Sequence, residues 1–362
     1  MKAPCEPHAS VPASAREDAL QFNRRGLFLG GCPKSGTTLL LSLLDSHPQL
    51  IVLPEETAYL QERRDYAALD GYHAKLRRLL EQTNLRLLAH GRFEPPREAS
   101  STDARDYTGF DFERFGSLAN AFINQSWMND SLLLSELIRA YAIVLGSDWR
   151  RCVRWVEKTP GNEIFCGVLR ELFPDSRLIQ LVRDPRAVFA SRKRRLLHER
   201  VSYTKAHRLV RQWNQCARQI PRLLDCPNQF LVVRYEDLVS KPQSVLQQIC
   251  RFAGLDFSPA LLKPTRAGTD WHGNSSFRQN FHAVDTTPVD KWRDYLTEQE
   301  VWWIELHCRR GMELAGYPLQ TDGRFSLSSW LRPLPGESPQ GYVRARRASA
   351  CQLAGCLADC RY

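Results

Sequence analysis

The sequence predicts an α/β fold, a mostly parallel sheet flanked by helices, with a helical insertion after its second apolar segment. Three observations predict it. A short apolar run, Leu27 to Leu29, leads through the glycine-bearing stretch Gly30 to Thr38 into a leucine-rich helical pattern, Leu39 to Leu44. From Val153 to Phe252, short apolar runs alternate with helical patterns, which is how strands of a parallel sheet covered on both faces are written. Between these parts, residues 59–146 carry apolar residues mainly at helical spacing.

Taken in order, residues 1–23 read as a flexible leader, with Pro, Ser, His and both signs of charge. The first strand is expected over 26–30 and the first helix over 36–46, ended by His47-Pro48 because a residue before Pro avoids the helical region. An apolar run, Leu50 to Leu53, precedes Pro54-Glu55-Glu56-Thr57. Within the insertion (59–150), Leu76, Leu79, Leu80, Leu85 and Leu88 form one helical series, and Leu133, Leu134, Leu137 and Ile138 another; the polar, Pro-bearing stretch 91–108 reads as a loop. Strands follow at 153–157, 177–182 and 229–234. Helices are expected at 162–173, 184–197, 206–224 and 243–252, the last closed by Gly254 as a left-handed cap. Residues 257–291 read as irregular and 297–314 as a final helix, so that one domain spans 24–320. The Ser-, Arg- and Pro-rich tail, 321–362, is expected to be poorly ordered.

With 362 residues, 43% hydrophobic and 25% charged, the chain has an ordinary globular composition. The net charge of +10 suits an anionic cofactor, an anionic substrate, nucleic acid or a membrane surface. No apolar stretch approaches the roughly 20 residues of a membrane span, and the N-terminus has no signal-peptide h-region. The eleven Cys are odd in number and scattered, as reduced thiols of a cytoplasmic protein are. Cys351, Cys356 and Cys360 lie closer together, but without C-x-x-C spacing or a nearby His, so no metal site is expected there.

Strand, glycine loop and helix is the arrangement that cradles a phosphate, with backbone N–H groups and the helix dipole facing the anion. The loop departs from the nucleoside-triphosphatase pattern G-x-x-x-x-G-K-[ST]. Gly31 and Gly36 keep the glycine spacing, Thr37 occupies the lysine position, and the lysine stands inside the loop as Lys34. The run Pro33-Lys34-Ser35-Gly36-Thr37-Thr38 resembles the 5′-phosphosulfate loop, P-[KR]-[ST]-G-T-T, of sulfotransferases that use 3′-phosphoadenosine 5′-phosphosulfate (PAPS).

Further segments extend the resemblance. In Leu181 to Ser191 a strand ends at Arg183, Asp184 is placed to cap the next helix and Pro185 to open it. Arg183 and Ser191, two turns along, could reach one phosphate. The segment resembles the 3′-phosphate motif of sulfotransferases. The adjacent run Arg192 to Arg195 reads as a solvated basic face. Asp45-Ser46-His47-Pro48 followed by Glu55-Glu56-Thr57 is similar to tyrosylprotein sulfotransferases, with Pro54 where they have Gly. That likeness makes Glu56 the base for the acceptor proton, and a neighbouring carboxylate with apolar surroundings is the setting that raises a carboxyl pKa. The alternative is that Glu55 and Glu56 merely open the next helix. Glu157-Lys158-Thr159-Pro160 resembles the E-K-[ST]-P segment of heparan sulfate sulfotransferases and puts Lys158 at a strand's carboxyl end, where open α/β sheets bind ligands. Lys291 and Trp292 fit loosely the segment that closes over the nucleotide in related enzymes. Tyr235, in Arg234-Tyr235-Glu236-Asp237-Leu238, matches a common family segment near the adenine, and is equally readable as a core tyrosine.

The resemblance covers residues 27–317. It implies the sulfotransferase fold, a parallel sheet related to nucleotide kinases, and PAPS as sulfuryl donor without a metal. Lys34, Ser35, Gly36, Thr37, Thr38, Arg183, Ser191, Tyr235 and Lys291 would bind the donor, and Glu56, Lys34 and Lys158 would act in catalysis. The acceptor could be a glycan, a peptide tyrosine or a small molecule carrying a hydroxyl, phenol or amine. Two other classes stay open: a nucleotide kinase or triphosphatase, against which the displaced lysine and the lack of a Mg²⁺-binding Asp strand argue, and a non-catalytic polyanion-binding protein, for which no nucleic-acid motif is visible.

Overall fold

A computed structural model describes residues 13–93, 104–196, 203–271, 273 and 289–321. Helix α1 (Ala13–Asn23) leads into β1 (Gly26–Gly30), α2 (Thr37–Asp45) and β2 (Leu50–Val52). The insertion contains α3 (Arg63–Ala67), α4 (Gly71–Gln82), a 3₁₀ turn (Asn84–His90), the pair β3 (Arg92–Phe93) and β4 (Arg105–Asp106), α5 (Phe112–Ile123) and α6 (Asp130–Val144). The alternating part runs β5 (Arg154–Lys158), a 3₁₀ turn (Asn162–Phe165), α7 (Cys166–Leu172), β6 (Arg177–Val182), α8 (Pro185–Leu196), α9 (Tyr203–Ala217), α10 (Ile220–Leu224), β7 (Phe230–Arg234), α11 (Tyr235–Ser240) and α12 (Pro242–Ala253). A 3₁₀ turn (Pro259–Leu262), the hairpin β8 (Thr265–Arg266) and β9 (Thr269–Asp270), α13 (Trp292–Tyr295) and α14 (Glu298–Leu314) complete the described chain.

The main sheet has the order β2-β5-β1-β6-β7, and its four pairings are all parallel. Every residue of β1 is buried, as a central strand covered on both faces must be. The pleat divides its side chains between two cores. Phe28 packs with Trp155, Phe173, Leu178 and the insertion residues Leu133, Leu137 and Tyr141. Leu27 and Leu29 pack with Leu40, Leu43 and Leu44 of α2, and with Val156, Ile179 and Leu246. A third cluster joins Val182 and Val188 to Trp213 of α9 and to Trp303, Ile304 and Met312 of α14. Among the described residues, no helix is long and apolar enough to cross a membrane.

Several expectations are corrected. Residues 13–23 are a helix rather than a flexible leader: Ala19, Phe22 and Asn23 are buried, and the Trp155 indole N–H donates to the Phe22 carbonyl at 2.7 Å. The helix expected over 206–224 is two helices, because Pro221 has no N–H for the carbonyl four residues back and restarts the chain near the first position of α10. The stretch 91–108 holds the antiparallel pair β3–β4, and 257–291 holds the β8–β9 hairpin. Thr297 caps α14 in a reciprocal capping box with Glu300. Gly254 caps α12 at φ 74° in the left-handed region. The tail beyond Thr321, with its three cysteines, lies outside the described residues, as do 285–288 of the late segment.

Candidate active site

The phosphate loop connects the carboxyl end of β1 to α2 in a conformation that only part of the residue alphabet tolerates. Gly31 and Gly36 have φ of 137° and 91°. A Cβ on Gly31 would stand 2.2 Å from the Leu181 carbonyl oxygen, and one on Gly36 would stand 2.4 Å from the Tyr235 ring. Lys34 itself adopts φ 77°, a conformation that costs a non-glycine residue about 1 kcal/mol or more and gathers at functional sites. Two bonds hold it there: Ser35 N–H donates to the Cys32 carbonyl at 3.0 Å, and the Arg183 guanidinium donates to the Lys34 carbonyl at 3.0 Å. No side chain caps the N-terminus of α2, where the first-turn N–H groups of a helix have no intrahelical partner.

Arg183 directly follows β6 and is joined to the loop in a second way, since its guanidinium lies 4.2 Å from the centroid of the Tyr235 ring, the ring against which Gly36 packs. The backbone around it is fixed by residues distant in sequence. The Trp213 indole donates to the Arg183 carbonyl at 2.9 Å, Asp184 N–H donates to Glu236 at 3.1 Å, and Tyr317 donates its hydroxyl to the other Glu236 oxygen at 2.6 Å. Asp184 accepts from the Arg186 N–H at 2.8 Å, the cap expected of it. Ser191 is buried on α8. Trp292, next to Lys291, packs on Ala187 and Ala190 of that helix, which ties the Lys291 segment to the flank carrying Ser191. Tyr235 is buried in the core around α2, with its ring packed against Gly36 and the Arg183 guanidinium over it.

On the other side of the loop, Glu56 and Lys158 meet. Lys158 Nζ lies 2.5 Å from Glu56 Oε1 and 3.4 Å from Thr38 Oγ1 at the start of α2. Its side chain is 4% exposed and that of Glu56 is 32% exposed, so the ammonium is enclosed while the carboxylate is reachable from outside. Asn84 of the insertion donates to the second Glu56 oxygen at 3.5 Å. Glu55 and Glu56 do not open a helix, since the next one begins at Arg63.

Buried partners support this pair. Glu157 accepts from Thr57 Oγ1, Thr159 Oγ1 and Asn162 Nδ2 at 2.8, 2.7 and 2.8 Å, and burial pushes its carboxyl above the ordinary range. Glu163 lies fully buried beneath the loop, accepts the Gly31 N–H at 2.7 Å, and is likewise raised by burial. Neither Glu163 nor Asn162 was legible in the sequence, where they read only as the start of a helix. His47 closes the end of α2, accepting from the Gln49 N–H with one ring nitrogen and meeting the Asp256 carbonyl with the other.

Comparison with known proteins identifies the family and the fold. The profile of the Sulfotransferase family matches residues 26–259. A Caenorhabditis briggsae protein named as a protein-tyrosine sulfotransferase is 24% identical over 280 residues, covering 75% of this chain and 82% of that one. Carbohydrate sulfotransferase 3 of Tetronarce californica is 28% identical over 181 residues, 42% of this chain and 40% of its own length, so the chain spans less than half of that relative. Among solved structures, the sulfotransferase domain from the curacin biosynthetic pathway superimposes with a TM-score of 0.51 at 21% identity, covering 81% of this chain and 98% of that domain. At that identity the likeness concerns the fold. The match to more than half of the chain, over the stretch that holds the loop, Arg183 and the Glu56–Lys158 pair, places the chain in the sulfotransferase family.

Proposed function

We propose that this protein transfers a sulfuryl group from PAPS to the oxygen or nitrogen of a hydroxyl, phenol or amine acceptor, with Glu56 as base. The observation that carries the reading is the position of Lys158, whose one ammonium touches both the carboxylate of Glu56 and the first residues of α2. An acceptor atom deprotonated by Glu56 therefore stands beside a cation that also serves the phosphate loop.

The residues present fit the donor. The uncapped N-terminus of α2, the left-handed loop and Lys34 suit a 5′-phosphosulfate, and Arg183 with Ser191 suits a 3′-phosphate. Lys34, the first turn of α2, Arg183 and Ser191 would hold PAPS, which would supply an electrophilic sulfur and, in its 5′-phosphate, the leaving group. Glu56 removes the acceptor proton. Lys158 and Lys34 offset the charge that develops on the departing phosphate oxygen, and preorganised donors of this kind contribute about 3–4 kcal/mol each. The names of the relatives favour a protein tyrosine or a carbohydrate as acceptor.

The test is thermal stabilisation by 3′-phosphoadenosine 5′-phosphate (PAP) against ADP and ATP, with and without magnesium. Selective stabilisation by PAP, independent of magnesium, is expected. An equal response to ADP, or a requirement for magnesium, would remove the role of Arg183 and Ser191 and turn the reading toward a nucleotide kinase.

A further inference from the structure

Glu55, next to the base, occupies a different environment from Glu56. Its side chain is 1% exposed, and Oε1 has three partners: it accepts from Arg105 Nε at 2.7 Å and the Tyr107 hydroxyl at 2.6 Å, and it is ion-paired with Arg266 at 3.4 Å. These partners come from two segments far apart in sequence. Arg105 belongs to β4, with Tyr107 just beyond it in the insertion, and Arg266 belongs to the β8–β9 hairpin. Arg266 also donates to the Pro54 carbonyl at 3.3 Å. The hairpin is anchored separately to the end of α2, where Asp45 accepts from Thr265 Oγ1 at 2.8 Å and from the Gly268 N–H at 3.0 Å. Thr57, on the other side of Glu56, is fixed to Glu157 at 2.8 Å.

We infer that Glu55 is a positioning residue, whose buried carboxylate clamps the insertion and the β8–β9 hairpin together behind Glu56 and thereby fixes the direction in which the base faces Lys158. The inference rests on the reading of Glu56 as base. The segment is held at Glu55 by the two arginines and the tyrosine and at Thr57 by the carboxyl end of β5, and Glu56 projects between these anchors to Lys158 and Asn84. A buried carboxylate persists only where cations and hydroxyls satisfy it, and here the satisfying groups are the ones that join the acceptor-side insertion to the sheet. Geometry at a base matters steeply, since a misplacement of about 1 Å can cost roughly 10²-fold in rate.

The test compares Glu55→Gln, Tyr107→Phe and Glu56→Gln in the full chain, by crystal structure, by PAP binding and by turnover of PAPS with a phenol as acceptor. Glu55→Gln is expected to separate the Glu56–Lys158 pair in the crystal and to lower kcat roughly 10- to 100-fold. KM for PAPS, PAP affinity and the acid limb of the pH–rate profile are expected to stay as in the wild type. Tyr107→Phe, which removes one hydroxyl and keeps the ring, is expected to lower kcat several-fold and serves if Glu55→Gln does not fold. An unmoved Glu56–Lys158 pair in Glu55→Gln, or in Tyr107→Phe where that variant alone folds, overturns the inference. So does a parallel fall of PAP affinity and kcat, which marks a merely structural role. Loss of the acid limb in Glu55→Gln while Glu56→Gln stays active makes Glu55 the base. Wild-type turnover by Glu56→Gln ends the reading of Glu56 as base, while the Glu55→Gln crystal structure still answers where the clamp directs that residue.

Discussion

Lys158 and Gly36 show how much of this site depends on single atoms. Replacing Lys158 with Ala removes the cation that touches Glu56 and Thr38. The expected loss in kcat is roughly 10²–10³-fold, the usual effect of deleting one preorganised charge at a reacting centre. Lys158→Arg is not expected to restore it, since a planar guanidinium cannot take the place of a compact ammonium enclosed at 4% exposure. Single-turnover kinetics with PAPS checks both variants, and wild-type rates in Lys158→Ala would end the catalytic role proposed for it. Gly36→Ala acts on the loop instead. It forces a Cβ to within 2.4 Å of the Tyr235 ring at a backbone φ of 91°, so either the ring or the loop moves. A destabilisation of about 1–3 kcal/mol is expected, together with weaker PAP binding because Tyr235 also carries Arg183. Calorimetry of PAP binding reads the second effect separately from the melting temperature.

Among the elements, those whose signal is local were legible in the sequence and those made by distant contacts were not. β1 and β6 were read with the bounds the structure gives them, because a continuous apolar run between turn residues is self-contained. Lys34, Glu56, Lys158 and Arg183 could be singled out in the sequence because each lies in a recognisable motif at the end of such a strand or in the loop that follows one. By contrast α1 has a polar sequence that earns its helix only by laying Phe22 on Trp155, and β3, β4, β8 and β9 are two-residue strands whose pairing depends on the partners that Glu55 and Asp45 supply. The buried pair on α6 is of the same kind. Glu136 is fully buried and bonded to Arg139, whose guanidinium lies over the rings of Phe122 and Trp149. Burial pushes its carboxyl from 4.5 up to about 7, in spite of the arginine. Between those values the folded protein binds a proton that the unfolded chain has released, so stability falls as pH rises through this window and levels off above it. The change should reach ~3 kcal/mol across the window. Urea unfolding of the wild type and of Glu136→Gln at pH 5, 6, 7 and 8 checks it, because the glutamine variant should lose that part of the slope.

At the scale of the whole molecule, the two ends of the sheet divide stability from chemistry. The phosphate loop, Lys158 and Arg183 lie at the carboxyl ends of β1, β5 and β6, while α1 leads into β1 at the opposite end. There Phe22 meets the Trp149 ring edge-on at 5.8 Å and lies 6.5 Å from the Trp155 ring, and Arg25 donates to the Arg150 and Cys152 carbonyls at 2.9 Å. The length of β1, on the order of 16 Å at strand rise, separates this cluster from the loop. Removing the ring in Phe22→Ala leaves a cavity among Trp149, Trp155 and α6, and such truncations cost about 3–5 kcal/mol. The indole bond to the backbone carbonyl of residue 22 needs no side chain and should persist. Unfolding in urea is therefore expected to shift strongly toward lower denaturant, while PAP affinity measured well below the melting temperature stays within about twofold of wild type, since sites so far apart and without shared partners are close to additive. Unchanged stability would make α1 a peripheral ornament. A matching loss of PAP affinity would instead show that the packing beneath β1 sets the geometry of the loop above it.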